Sequence, residues 1–249
     1  MKYGYLLRRW QEEGLAISIR IDLSTHPHML LTGSSGSGKS YALIYLLGML
    51  AKDGTTKIRF CDFKNSEDFK FLSAYGRYYY GDCVYDGIMA FYNDFCTARK
   101  EGILGRRHLL IVDEYPALIS YLTMRDKQEK TKRAAEVQSA IAEILMLGRG
   151  LGFGLWITTQ RADSYLFEHG SRDNFMVICG LGRLSKEQRQ MLFSSEDIST
   201  DTIYDKGEGL LLADGKELVE VKFPLISDID EWKAHIRQSL ISLDEQIDV

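Results

Sequence analysis

The run Gly33-Ser34-Ser35-Gly36-Ser37-Gly38-Lys39-Ser40 fits the pattern G-x-x-x-x-G-K-[ST]. Its small side chains would let successive backbone N–H groups turn toward phosphate oxygens, where bulkier ones would fill the nest. Lys39 would reach the β- and γ-phosphates of ATP and Ser40 would ligate Mg2+. The helix that follows, with Tyr41 completing the nucleotide-binding set, would add its positive dipole end. A second run, His108-Leu109-Leu110-Ile111-Val112-Asp113-Glu114, is almost wholly apolar and closes on two carboxylates. At the carboxyl edge of a sheet, Asp113 would share Mg2+ with Ser40, while Glu114 would orient and deprotonate water for in-line attack on the γ-phosphate. Alone, such a strand end could simply cap the next helix; beside a phosphate loop it reads as catalytic. A third run, Leu155-Trp156-Ile157-Thr158-Thr159-Gln160, repeats the design. Gln160 could sense the γ-phosphate, or lie in a surface turn. Arg149, between Gly148 and Gly150, sits on the connection before that strand. It could reach a neighbouring subunit's ATP as an arginine finger, or face solvent.

These side chains act together only if strands deliver them to one edge. Residues 29–32 form an apolar strand entering the glycine loop, a helix follows to about residue 52, and residues 58–63 form a second strand. That order is a βαβ unit. The periodicity predicts a helix over residues 85–99 and a strand over 109–112. A further helix carries Ala134, Val137, Ile141, Ile144 and Leu145 at three- and four-residue steps, and strands follow at 155–159 and 175–179. Strands alternating with helices imply an α/β fold with a mainly parallel sheet covered on both faces. Residues 15–22 alternate apolar and polar and predict an N-terminal strand, while residues 210–213 and 218–223 flank Asp214-Gly215 and predict an antiparallel edge hairpin. Ser227 precedes a helix with Ile229, Trp232, Ile236 and Leu240 on one face, and an acidic stretch ends the chain. The charge-rich residues 125–133 read as an exposed loop or helix start, either a solvated connection or a contact for DNA or a partner.

Composition bounds the answer further. With 249 residues, 45 % hydrophobic and 27 % charged, the chain can bury a full core as one α/β domain, which excludes disorder throughout. The net charge of -4 argues against a basic coat, though not against a local patch or a ring lumen. Cys61, Cys83, Cys96 and Cys179 form no Cys-x-x-Cys pair, so buried thiols in a reducing cytoplasm are expected rather than zinc or disulfides. The longest apolar stretch, residues 41–51, falls short of the roughly 20 residues that span a bilayer, so no direct membrane insertion is expected.

In this order the motifs resemble the motor domain of the FtsK/SpoIIIE/HerA group of DNA-pumping ATPases. The likeness runs from His26 to Pro224 and rests on Pro27-His28-Met29-Leu30-Leu31-Thr32-Gly33, Val112-Asp113-Glu114-Tyr115-Pro116-Ala117-Leu118, and Gly152-Phe153-Gly154 through Gln160-Arg161. Residues 172–182 and 185–193 look most like the coupling ATPases of Gram-positive conjugative elements. The resemblance implies a RecA-like core, a hexameric ring with ATP at subunit boundaries, and double-stranded DNA as the track through the lumen. Relaxase-type or membrane partner proteins and a cytoplasmic location are also expected, and Arg161 and Arg172 are the next candidates if Arg149 is not the finger. Three parts are expected: residues 1–25 as a β segment on the core, 26–224 as the motor, and 225–249 as a C-terminal helix and tail. No room is expected for the group's membrane segments or its winged-helix DNA reader. Two rival readings stay open, a protein-export motor of the same group and an ATP-switched adaptor that hydrolyses slowly.

Overall fold

A computed structural model describes residues 1–102, 106–161, 173–194, 196, 198 and 202–245. Ten strands form one sheet in the order β2-β1-β10-β9-β8-β3-β7-β6-β4-β5. Six of them are parallel: β3 (His28–Gly33), β4 (Thr56–Asp62), β5 (Tyr78–Tyr80), β6 (Arg107–Asp113), β7 (Phe153–Thr159) and β8 (Val177–Leu181). Four continue the sheet antiparallel beyond β8: β9 (Glu208–Ala213), β10 (Val219–Lys222), β1 (Lys2–Leu6) and β2 (Ser18–Arg20).

The central strands are apolar nearly end to end because both faces are covered. Successive side chains leave opposite faces, so β3 sends Met29 and Leu31 into one core and Leu30 into the other. The first core gathers α2 (Lys39–Asp53) and α7 (Ile229–Glu245), with Phe60, Ile111 and Trp156 from the sheet. The second holds α3 (Val84–Glu101), α4 (Tyr115–Glu129) and α5 (Arg133–Leu147) against Leu110, Val112, Leu155 and Ile157. Two short helices, α1 (Leu7–Glu13) and α6 (Lys186–Leu192), complete the described α-helices, and short 3-10 turns lie at Glu67–Leu72, Gly81–Cys83 and Gly148–Leu151. This is the expected α/β fold, a mainly parallel sheet between helices with antiparallel strands toward one edge.

Several expectations need correction. Residues 15–22 supply only the short β2, and Leu15 and Ile17 are exposed, because α1 ends at a left-handed Gly14 and the chain regains the sheet only at Ser18. The β9–β10 hairpin forms as expected but is not the edge: β10 pairs with β1 (Tyr5 opposite Lys222), and β2 lies outermost. The charged residues 125–133 are the end of α4, a tight turn and the start of α5. Asp126 fixes that turn by accepting from the N–H groups of Arg133 and Ala134 at 2.9 and 2.8 Å. Strand β8 begins two residues later than expected, with Phe175 buried before it. Of the four free thiols only Cys61 and Cys179 are buried, and Cys83 is exposed. The cap of α7 is Asp228 rather than Ser227, since its carboxylate accepts from Asp230 and Glu231 N–H at 3.1 and 2.9 Å.

Candidate functional site

Parallel strands end at the same edge, so the three motifs meet there. A cavity of about 430 Å3 is lined by Ser35, Gly36, Gly38, Lys39 and Ser40 from the glycine loop and α2, by Asp113 and Glu114 after β6, and by Gln160 after β7. Strand β7 lies between β3 and β6, which sets Gln160 between the loop and the carboxylates.

The loop needs its glycines. Gly36 and Gly38 have φ of 81° and 96°, the left-handed region that L side chains rarely adopt, and a Cβ on Gly38 would lie 2.8 Å from the Gly207 nitrogen. Helix α2 starts at Lys39 with no acidic residue in its first turn, so the positive end of its dipole is left for an outside anion. The Lys39 ammonium donates to the carbonyls of Gly33 and, at 3.2 Å, Ser34. Burial lowers its pKa, and Glu114 and Asp113 oppose that shift. Ser37 is buried against Gly33 and Gly182, beneath the loop, and its hydroxyl has no hydrogen-bond partner among the described residues.

Across the cavity, Asp113 is 6 % exposed. Burial pushes its carboxyl up to about 6, helped by the nearby Asp62 and Glu114 and opposed by a hydrogen bond from Thr158. A carboxylate so placed favours a cation beside it. With the hydroxyl of Ser40 it offers the hard oxygen donors that suit Mg2+, whose coordination is ordinarily completed by phosphate and water. Among the described residues no group of three or more His, Cys, Asp or Glu could hold a metal unaided.

Three residues that the sequence reading passed over organise this corner. The Thr158 hydroxyl donates to Asp113 Oδ1 at 2.5 Å and accepts the Glu114 N–H at 3.0 Å, so one side chain fixes both carboxylate residues. It holds Glu114 in a left-handed conformation, φ 55°, as the residue that precedes α4, whose first turn begins Tyr115-Pro116. The Lys64 ammonium lies 3.1 Å from Glu114 Oε1, and Gln160 Nε2 donates to the same oxygen at 3.2 Å. Lys64 is presented by the turn after β4, which Asp62 closes by accepting from Ser66 N–H at 2.7 Å and from the Tyr78 hydroxyl at 3.0 Å. The signal was available, since the Phe60-Cys61-Asp62 end of β4 also closes on a carboxylate, with Lys64 two residues on.

Tyr41 also lines the cavity. Arg149 does not. It is exposed beside a separate hollow of about 190 Å3 shared with Pro27, Thr56, Arg107 and His108. Burial and, less strongly, the Arg149 charge lower the pKa of His28, at the amino end of β3, to about 4. Five steps of strand separate that end from Gly33, roughly 17 Å at strand rise, so Arg149 cannot touch this chain's own phosphate loop. Arg161 is exposed past β7, and Arg172 lies outside the described residues.

No protein-family model matches the chain. The chain is similar to the FtsK domain-containing protein YdcQ of Bacillus subtilis (strain 168), 24 % identical over 234 residues covering 88 % of this chain and 47 % of the relative. It thus spans about half the length of that relative. In fold it is similar to the monomer form of the pCW3 conjugation coupling protein TcpA with ATPγS, at a TM-score of 0.71 and 22 % identity over 89 % of this chain and 67 % of that one. It is similar as well to the cytoplasmic domain of the Thermomonospora curvata type VII secretion ATPase EccC, at a TM-score of 0.70 and 20 % identity over 97 % of this chain and 30 % of that one. The likeness to the FtsK/SpoIIIE/HerA group that the motifs carry is therefore met again in sequence, through an FtsK domain-containing protein, and in fold, through a conjugation coupling protein and a secretion ATPase.

Proposed function

We propose that this chain is a Mg2+-dependent ATPase that assembles as a ring and moves double-stranded DNA, in the service of conjugative or mobile-element transfer. The observation that carries the ATPase reading is the convergence of Lys39, Ser40, Asp113, Glu114 and Gln160 on one cavity. Bound ATP would lay its phosphates on the loop N–H groups, with Lys39 giving up its two carbonyl partners to neutralise them. Ser40 and Asp113 would hold Mg2+, which supplies charge neutralisation on the phosphates. Glu114, fixed by Thr158, Lys64 and Gln160, would take the proton of the attacking water. Gln160 would report the state of the site outward, because its carbonyl accepts from Gln188 Nε2 on α6 at 3.2 Å.

Residues 26–224 would form the motor, residues 1–25 would widen its sheet, and residues 225–249 would pack a helix on its phosphate-loop face. No described helix is long and apolar enough to cross a membrane. That fits a cytoplasmic motor recruited by partner proteins. The DNA reading draws on the likeness to an FtsK domain protein and to a conjugation coupling protein. The near-equal likeness to a type VII secretion ATPase favours the second reading, a protein-export motor. Duplex DNA decides between them. Each phosphate contact releases counterions, so a DNA-stimulated ATPase rate should fall steeply as salt rises. No stimulation by duplex DNA at low salt, with assembled protein, would overturn the DNA reading.

Arg149, remote from its own loop, fits a finger offered to a neighbour. Arg149→Ala should leave ATP affinity of the isolated chain unchanged and cut hydrolysis by assembled protein about a thousandfold. Equal turnover in the two assemblies would remove Arg149 from the site.

A further inference from the structure

The cavity extends past the phosphate loop. Beyond Lys39 and Ser40 its walls are Tyr41 and Ile44 of α2, Ile229 and Lys233 of α7, and Lys206 from the segment before β9. Ile44 is 3 % exposed, so it shows the cavity little more than one aliphatic edge. This portion is aliphatic, aromatic and cationic, and Tyr41 apart it shares no residue with the phosphate and carboxylate set.

Helix α7 is locked in place there by several independent contacts. The Trp232 indole donates to the Ile44 carbonyl at 3.1 Å and stacks on Tyr45, with centroids 6.2 Å apart and planes 11° from parallel. Gly48 makes the room, since a Cβ at that position would lie 2.1 Å from the indole. The Lys52 ammonium sits 4.4 Å from the same ring system, and the Tyr41 hydroxyl accepts the Ile226 N–H. Asp228 caps the first turn. The result is a fixed wall one turn long, Ile229 and Lys233 four residues apart on a single face.

A glycine loop reads phosphate and nothing else of a nucleotide. The nucleoside half needs flat apolar contact for its base and a few polar groups for its sugar, the make-up of small-molecule sites in general. We propose that the space between α2 and the first turn of α7 receives the base and ribose of the nucleotide, which makes the C-terminal helix part of the nucleotide site. Ile44 and Ile229 offer aliphatic surface to the face of the base. Tyr41, its hydroxyl engaged by Ile226, presents its ring, and Lys206 and Lys233 offer donors to the ribose hydroxyls. The inference rests on the ATPase reading above and adds to it a site element outside all three motifs.

Mg2+-ATP and inorganic tripolyphosphate, titrated calorimetrically into the full chain, separate the two halves of the site. Ile229→Ala, which leaves Trp232 in place, should weaken ATP about tenfold, the order expected for part of one aliphatic side chain withdrawn from contact. Tripolyphosphate should bind as it does to the wild type. Lys233→Ala, on the same face and with only its ammonium over the Phe71 ring at 5.5 Å, should show the same split, and it carries the test if Ile229→Ala loses its fold. Unchanged ATP affinity in a folded variant would overturn the inference, as would a parallel loss of tripolyphosphate, which would place the effect on the phosphate loop. A wild-type chain that binds tripolyphosphate but not ATP would overturn it too. A wild-type chain that binds neither would overturn the ATPase reading itself.

Discussion

Glu114→Gln is expected to bind Mg2+-ATP as tightly as the wild type and to turn it over about 10²–10⁴-fold more slowly. The amide keeps the volume of the side chain, and its oxygen can still accept from Lys64 and Gln160 as Glu114 Oε1 does. It cannot take a proton from water. Because Thr158 grips the backbone N–H of Glu114 and the carboxylate of Asp113, the substitution leaves the corner in place and isolates proton transfer. Equilibrium nucleotide binding together with phosphate release checks both halves. Unchanged turnover would mean that another group positions the water.

Lys39→Ala should weaken ATP roughly a hundredfold or more, what is lost when charge-assisted hydrogen bonds to phosphate are removed. The effect should fall on binding and not on folding. In the free protein the ammonium only bridges the carbonyls of Gly33 and Ser34, at the mouth of a cavity that water can enter. Burial and the two facing carboxylates pull its protonation in opposite directions, and the charge matters most when a polyphosphate arrives. An affinity within twofold of the wild type would remove the phosphate-loop assignment, while a lowered thermal midpoint would identify a structural effect.

What could be read from the sequence was what is local. The phosphate loop, the carboxylate pair and Gln160 each follow an apolar run, and parallel strands that end together were enough to place them on one edge. The passed-over features have physical reasons. Strand β1 is five residues with glycine at its centre, and it is a strand because it pairs with the short β2 on one side and with β10, far along the chain, on the other. Tyr3 is buried beneath it with its ring 6.1 Å from that of Trp156, a contact no local pattern announces. Helix α4 was missed because its second half, through Glu129, is almost entirely polar. Its stability comes from Tyr115, Leu118, Ile119 and Leu122 on the sheet and from pairs such as Arg125 with Glu129.

The site was under-read for a related reason. Thr158 looked like one polar residue near a strand end, and Lys64 like one charge in a turn. Their importance is pairwise, across β7 to β6 and β4 to β6, and register between strands that are distant in sequence is not written in either one. Arg149 shows the converse. Its place on the connection before β7 left its reach open, and the structure sets it in a short 3-10 turn at the amino edge of the sheet, away from this chain's own phosphate loop.

The claim on which the rest depends is that one cavity holds the phosphates of ATP and carries the water-activating carboxylate. Phosphate release from ATP by the wild-type chain, assembled and supplied with duplex DNA, measured with Mg2+ and again with the cation chelated, tests it most directly. Turnover is predicted with Mg2+ and its near-complete loss on chelation, because the Asp113 carboxylate can meet the phosphates only through a cation. Absence of release with Mg2+ present, or release that survives chelation, would contradict it.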